Sequence, residues 1–183
     1  MKKILSKFIF YLIGWKVVGE RTIPNKCIVL GVPHTSNWDF LYGRCFGYIV
    51  GVKPKYLIKK ELFKPILGSL IKWNGGISID RNGSNSIVSQ VAEMFKNSKS
   101  LILAIAPEGT RKPVEKWKSG FYFIADEAQV PIALMKIDYK NKEVGKIGEI
   151  KPTGDFEKDM TYIQEKFSLI KGKLPENYNP KIF

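Results

Sequence analysis

Runs of continuously apolar residues, too short for buried helices and set between stretches of helical period, constrain this 183-residue chain more than any other feature. Residues 101–106 are such a run, and 26–32 and 132–138 are apolar apart from Lys26, Lys136 and Asp138. A strand with one face in water alternates apolar and polar side chains, whereas a run that stays apolar is covered on both faces. Further extended stretches fall at residues 55–59, 77–79 and 143–151. Helical spacing appears over 39–50, over 62–71 with Pro65 tolerated in the first turn, and over 120–128. Ile87, Val88, Val91, Met94 and Phe95 recur at helical spacing behind the cap candidates Ser84, Asn85 and Ser86. Met160, Ile163, Phe167 and Ile170 define a last helix, and residues 172–183, with Pro175 and Pro180, read as loop. The alternation predicts an α/β fold, a single domain with a mostly parallel central sheet flanked by helices.

The N-terminus is a separate problem. Ile4, Leu5, Phe8, Ile9, Leu12 and Ile13 form a broad apolar helical face, against a narrow polar stripe of Lys3, Lys7 and Gly14. The longest apolar runs cover six residues, far below the roughly 20 that a spanning helix requires. Lys7 interrupts the apolar region, which argues against a cleaved signal peptide. Residues 1–18 are therefore expected to be an interfacial membrane-association helix, with residues 19–183 as the main domain. Packing of the same face on the domain's own core is the competing reading.

Thirty Lys and Arg against seventeen Asp and Glu give a net charge of +13, which favours a polyanionic partner. No recognised nucleic-acid motif is present and the basic residues are dispersed, so an anionic membrane surface or a phosphorylated substrate is expected, and no nucleic acid. Cys27 and Cys45 match no zinc or redox spacing. They read as buried apolar residues.

Three polar segments follow predicted strands, the position where α/β sheets carry their functional loops. They are Pro33-His34-Thr35-Ser36-Asn37-Trp38-Asp39, Asp80-Arg81-Asn82-Gly83 and Pro107-Glu108-Gly109-Thr110-Arg111. His34 is the chain's one histidine and the natural general base near neutral pH. Taken together in this order, the segments resemble those of the glycerolipid acyltransferase superfamily, which contains the 1-acylglycerol-3-phosphate (lysophosphatidate) acyltransferases. Its Asn/Pro-His-x-Ser-x-x-Asp block is similar to residues 33–39. Its Gly-x-Ile-x-Ile-Asp-Arg block is similar to 75–81, and Phe-Pro-Glu-Gly-Thr-Arg to 106–111, with Ala106 in place of Phe. Val130-Pro131-Ile132 stands for the Val-Pro-Ile block, and Ile58-Lys59-Lys60-Glu61-Leu62 resembles the Ala-Lys-x-Glu-Leu segment.

The resemblance implies transfer of a fatty acyl group from an acyl thioester, acyl-CoA or acyl-carrier protein, to a lysophospholipid hydroxyl, with lysophosphatidate the leading acceptor. No metal or other cofactor is implied, and the expected location is peripheral, on the cytoplasmic face of a membrane. An alcohol needs a base to become a good nucleophile. His34 suits that task if a carboxylate fixes its other ring nitrogen, and Asp39 is the candidate partner. Asp39 as a plain helix cap is the rival reading. No Gly-x-Ser-x-Gly elbow occurs, so attack without a covalent acyl-enzyme is expected, with Cys45 a remote alternative nucleophile.

Arg81 and Arg111 each end a strand-to-loop segment, and two forked guanidinium groups make a phosphate site. Ion pairs with Asp80 and Glu108 are the competing readings. By resemblance Lys59 joins the phosphate ligands, and Glu108 holds the acceptor's glycerol or the motif itself. Gly109 permits close backbone approach, and Thr110 is expected to make a loop hydrogen bond. Trp117, among Lys112, Lys116 and Lys118, suits a lipid headgroup surface, or else is a tucked ring on a solvated loop. Two alternatives stand beside this function: acylation of a lysolipid without phosphate, and a non-catalytic basic module binding membrane or nucleic acid.

Overall fold

All three apolar runs lie side by side at the centre of one sheet in the computed structural model, which describes residues 1–80 and 86–183. Strand β2 (Lys26–Val32) runs parallel to β5 (Leu101–Ile105) on one side and to β6 (Ile132–Asp138) on the other. Outward from β5 come β3 (Lys55–Lys59) and β4 (Gly76–Ile79), both parallel. Beyond β6 lie β7 (Glu143–Ile150), antiparallel to it, and the edge strand β1 (Lys16–Gly19), parallel to β7. The seven-stranded order is β1-β7-β6-β2-β5-β3-β4.

Alternation along β2 divides the core in two. Ile28, Leu30 and Val32 point to one face, among side chains from α4 (Ile87–Asn97), α5 (Gly120–Ala128) and α6 (Phe156–Phe167). Phe95, Phe121, Met160 and Ile163 are buried there. Cys27 and Val29 point to the opposite face, covered by α1 (Lys2–Ile13) and α2 (Trp38–Val50) through Phe10, Cys45, Phe46 and Ile49. Each fully buried side chain of that size contributes roughly 1.5–3 kcal/mol. A central strand needs two such layers, which is why its sequence shows no polar alternation.

Helix α1 divides its own surface between two environments. Ser6 and Phe10 are buried against the domain, while Ile4, Leu5, Phe8, Tyr11 and Leu12 are exposed. The helix stops at Gly14, whose φ of 72° is left-handed, and the Trp15 N–H returns to the Phe10 carbonyl at 2.8 Å. Residues 16–19 then enter the sheet, so the segment expected as a helix over 1–18 is helical only to Ile13. Strand β1 was not expected: four residues carry too little pattern, and their partner β7 lies more than 120 residues away. Among the described residues no helix is long and apolar enough to cross a membrane.

Two further boundaries differ from expectation. The helix expected over 62–71 is a short 3-10 turn, Lys60–Leu62, followed by α3 (Pro65–Trp73), because Pro65 lacks an N–H and suits a helix's first position. Ile170 lies beyond α6 yet is buried in the same core. The tail 172–183, apart from the turn Pro175–Asn177, is irregular as expected, but it is not free: Ile182 is fully buried.

Candidate active site

Because β2, β3, β4, β5 and β6 are mutually parallel, their carboxyl ends share one edge of the sheet, and the loops that follow them gather there. The loop after β2 carries His34, and the first turn of α2 brings Asp39 back toward it. Asp39 Oδ2 accepts the backbone N–H groups of Thr35 and Ser36, each at 2.8 Å, and lies 3.2 Å from His34 Nδ1. Asp39 is not the cap of α2, whose N-cap is Asn37; it braces the loop before the helix and lies within hydrogen-bond distance of the imidazole. With Nδ1 so occupied, Nε2 is the ring nitrogen available to take a proton. The His34 side chain is about a quarter exposed, at 28%, while that of Asp39 is buried at 2%.

Glu108, in the loop after β5, is buried, and its Oε1 accepts the His34 backbone N–H at 3.0 Å. Its grip is on the His34 loop itself. Burial pushes the Glu108 carboxyl above its ordinary range, and Oε2 has no hydrogen-bond partner among the described residues. Next to it Gly109 takes a φ of 67°, and its N–H closes a turn on the Ala106 carbonyl at 3.0 Å. A Cβ at Gly109 would come 3.1 Å from the Lys118 side chain. Thr110 Oγ1 accepts the Lys112 N–H, a hydrogen bond within the loop. Arg111 donates to Asn37 Oδ1 rather than pairing with Glu108, so a cation stands on the rim of the His34 loop.

The remaining predicted ligands are Lys59 and Arg81. Lys59 is exposed at the carboxyl end of β3, on the same edge. Arg81 lies outside the described residues; its neighbour Asp80 accepts a hydrogen bond from Lys60 at 3.1 Å. Cys45 is buried on α2 and burial pushes its thiol up, which is the wrong direction for a nucleophile. Cys27 is likewise buried, its thiol pushed up to about 12. Trp117 is the tucked ring and not a headgroup contact, since it is buried against Phe167 at 5.9 Å between centroids. Its backbone N–H donates to the Ile182 carbonyl, which pins the loop to the C-terminal segment. Among the described residues no group of three or more His, Cys, Asp or Glu side chains converges as a metal ion would require.

Two contributors were not foreseen. Tyr139, immediately after β6, donates its hydroxyl to Asp39 Oδ1 at 2.6 Å. Its position at the end of a strand adjacent to β2 was the available signal. The second is the C-terminal segment. Gly172 approaches so closely that a Cβ would lie 2.6 Å from Thr35 Oγ1, and the Leu174 N–H donates to that oxygen. Lys173 stands 5.1 Å from the centre of the Trp38 ring, and the Asn179 side chain donates to the Val114 and Glu115 carbonyls. The tail thus fastens both site loops.

A seven-stranded, mostly parallel sheet with this loop arrangement defines an α/β acyltransferase: the Acyltransferase family's sequence model matches residues 14–137, and the chain belongs to that family. Among solved structures it is similar to the crystal structure of the 1-acyl-sn-glycerophosphate (LPA) acyltransferase PlsC from Thermotoga maritima. The TM-score is 0.61 at 21% identity, covering 90% of this chain and 74% of that one, so the likeness is one of fold. No curated protein matches the chain.

Proposed function

We propose that this chain transfers a fatty acyl group from an acyl thioester, acyl-CoA or acyl-carrier protein, to the hydroxyl of a lysophospholipid at a membrane surface. The observation that carries the reading is the His34–Asp39 pair, with Asp39 buried and His34 open to solvent. His34 Nε2 takes the acceptor's hydroxyl proton as its oxygen attacks the thioester carbonyl. A C–O bond forms, the C–S bond breaks, and the imidazolium returns its proton to the departing thiolate. Asp39 stabilises the imidazolium in between. Glu108 acts from behind by fixing the His34 backbone.

Lysophosphatidate is the leading acceptor. Arg111 beside Asn37, Lys59 on the same edge and Arg81 are the residues assigned to its phosphate. The similar Thermotoga maritima protein, a 1-acyl-sn-glycerophosphate acyltransferase, supports that choice. The exposed apolar face of α1, with Lys2, Lys3 and Lys7 beside it, supports attachment to an anionic leaflet. The deciding experiment measures thiol release from acyl-CoA and acyl-carrier protein across a panel of lysolipids. Transfer with lysophosphatidate that disappears in His34→Ala is expected. Equal rates in purified His34→Ala would overturn the mechanism, and transfer only to acceptors without phosphate would overturn the acceptor assignment.

A further inference from the structure

We infer that Tyr139 is a positioning residue of this site, orienting the Asp39 carboxylate through its hydroxyl and thereby setting the proton affinity of His34. The inference rests on the proposed role of His34 as base. It adds a residue that lies outside the four sequence blocks and beyond the span matched by the family.

Asp39 has two oxygens with separate duties. Oδ2 serves the Thr35 and Ser36 N–H groups and His34 Nδ1, while Oδ1 receives the Tyr139 hydroxyl at 2.6 Å. A carboxylate held at both oxygens cannot rotate about its Cβ–Cγ bond without breaking a charge-assisted hydrogen bond. Tyr139 is itself held from three directions. Its N–H donates to the Lys171 carbonyl at 2.9 Å, and its ring meets Trp15 edge-on at 5.1 Å and Tyr42 at 5.6 Å. Burial and the adjoining carboxylate push its phenol up, which favours the protonated form that donates to Asp39.

A donor on Asp39 also draws off part of the negative charge that His34 would otherwise feel. Without it, more of the carboxylate's charge faces the imidazole. The other charged or titratable groups around the pair are Glu108 behind the His34 backbone, Tyr42 on α2, Arg111 at Asn37 and Lys173 on Trp38. Glu108 and Tyr42 feel the Asp39 charge without donating a hydrogen bond to it, whereas the Tyr139 hydroxyl, which also meets the Ser36 side chain, donates to Oδ1.

A single histidine makes the test direct, because the His34 ring gives one proton resonance series in tag-free protein. In Tyr139→Phe, which keeps the ring against Trp15 and Tyr42, the NMR titration midpoint of His34 is expected to rise by about half a pH unit, a threefold change in proton affinity. The acid limb of the rate profile should move with it, kcat falling several-fold with acceptor KM unchanged. Tyr42→Phe removes a neighbouring phenol that does not donate to Oδ1, and should leave the midpoint in place. An unmoved midpoint in a folded Tyr139→Phe, or an equal shift in Tyr42→Phe, overturns the inference. The titration needs no acyl substrate. A shifted midpoint in a chain that consumes no thioester therefore supports the Tyr139 assignment while the functional reading fails.

Discussion

The Glu108 carboxyl and the His34 backbone N–H are joined at 3.0 Å across 74 residues of chain, tying the loop after β5 to the loop after β2. The bond places a buried carboxyl directly behind the candidate base, and two consequences follow for stability and for pH.

Burial raises the Glu108 carboxyl above its ordinary 4.5, so the folded protein binds that proton more tightly than the unfolded chain. The stability this contributes is present at low pH and is lost as pH rises from 4.5 toward the raised folded value. Glu108→Gln keeps an oxygen for the His34 N–H and does not titrate. Relative to the parent chain, its melting temperature should therefore climb as pH rises above 4.5, by roughly 2–4 °C for each kcal/mol involved. Paired thermal melts across that interval measure it; a constant difference would show that Glu108 does not titrate abnormally.

Replacements at His34 and Asp39 should separate chemistry from folding. His34→Ala removes a partly exposed ring and should lower turnover by about 10²–10⁴-fold with little change in melting. Asp39→Ala should do both, because it strands the Thr35 and Ser36 N–H groups and the Tyr139 hydroxyl. A loss of roughly 2–4 kcal/mol is expected. Asp39→Asn, which retains an acceptor oxygen, should melt between the two. Circular dichroism melts alongside thiol-release rates would expose any failure of this ordering.

Arg111→Ala should raise the acceptor KM about tenfold for a phosphate-bearing lysolipid and leave kcat nearly unchanged, the signature of lost ground-state binding. A lysolipid lacking phosphate should be indifferent to the change. Steady-state kinetics on the two acceptors side by side decide it, and an unaltered KM for both would remove Arg111 from the phosphate site.

Simple deletion of the N-terminus is a poor test of membrane attachment, since it would also remove Phe10 from the core. Leu5→Asp with Phe8→Asp alters only exposed positions and leaves the Ser6 and Phe10 seat intact. The double variant should stay folded yet fail to sediment with vesicles containing phosphatidylglycerol. Undiminished sedimentation would move the attachment surface elsewhere on the molecule.

Much of this arrangement was legible in the chain. Residues 26–32, 55–59, 120–128 and 132–138 are read from pattern with the boundaries the structure has, because burial on both faces leaves a strand without polar positions and a helix with a clear period. His34, Asp39, Glu108 and Arg111 were singled out because they lie in segments that follow predicted strands and resemble the family's motifs. Strand β1 and the hold of the C-terminal segment were not, and a tucked Trp117 stood only as one of two readings, since each depends on a partner distant in sequence.

Local sequence therefore determined the strands other than β1, most of the helices, and which loops carry the polar chemistry. Periodicity and strand-end placement are properties of neighbouring residues. Tertiary structure alone decided what those polar groups do to one another. The Asp39 carboxylate meets Tyr139 from 100 residues away, Glu108 reaches the His34 backbone from 74, and α1 divides its apolar residues between core and solvent according to where α2 lies. Such contacts arise from sheet order, which is fixed by long-range burial of apolar faces and leaves no local period to read.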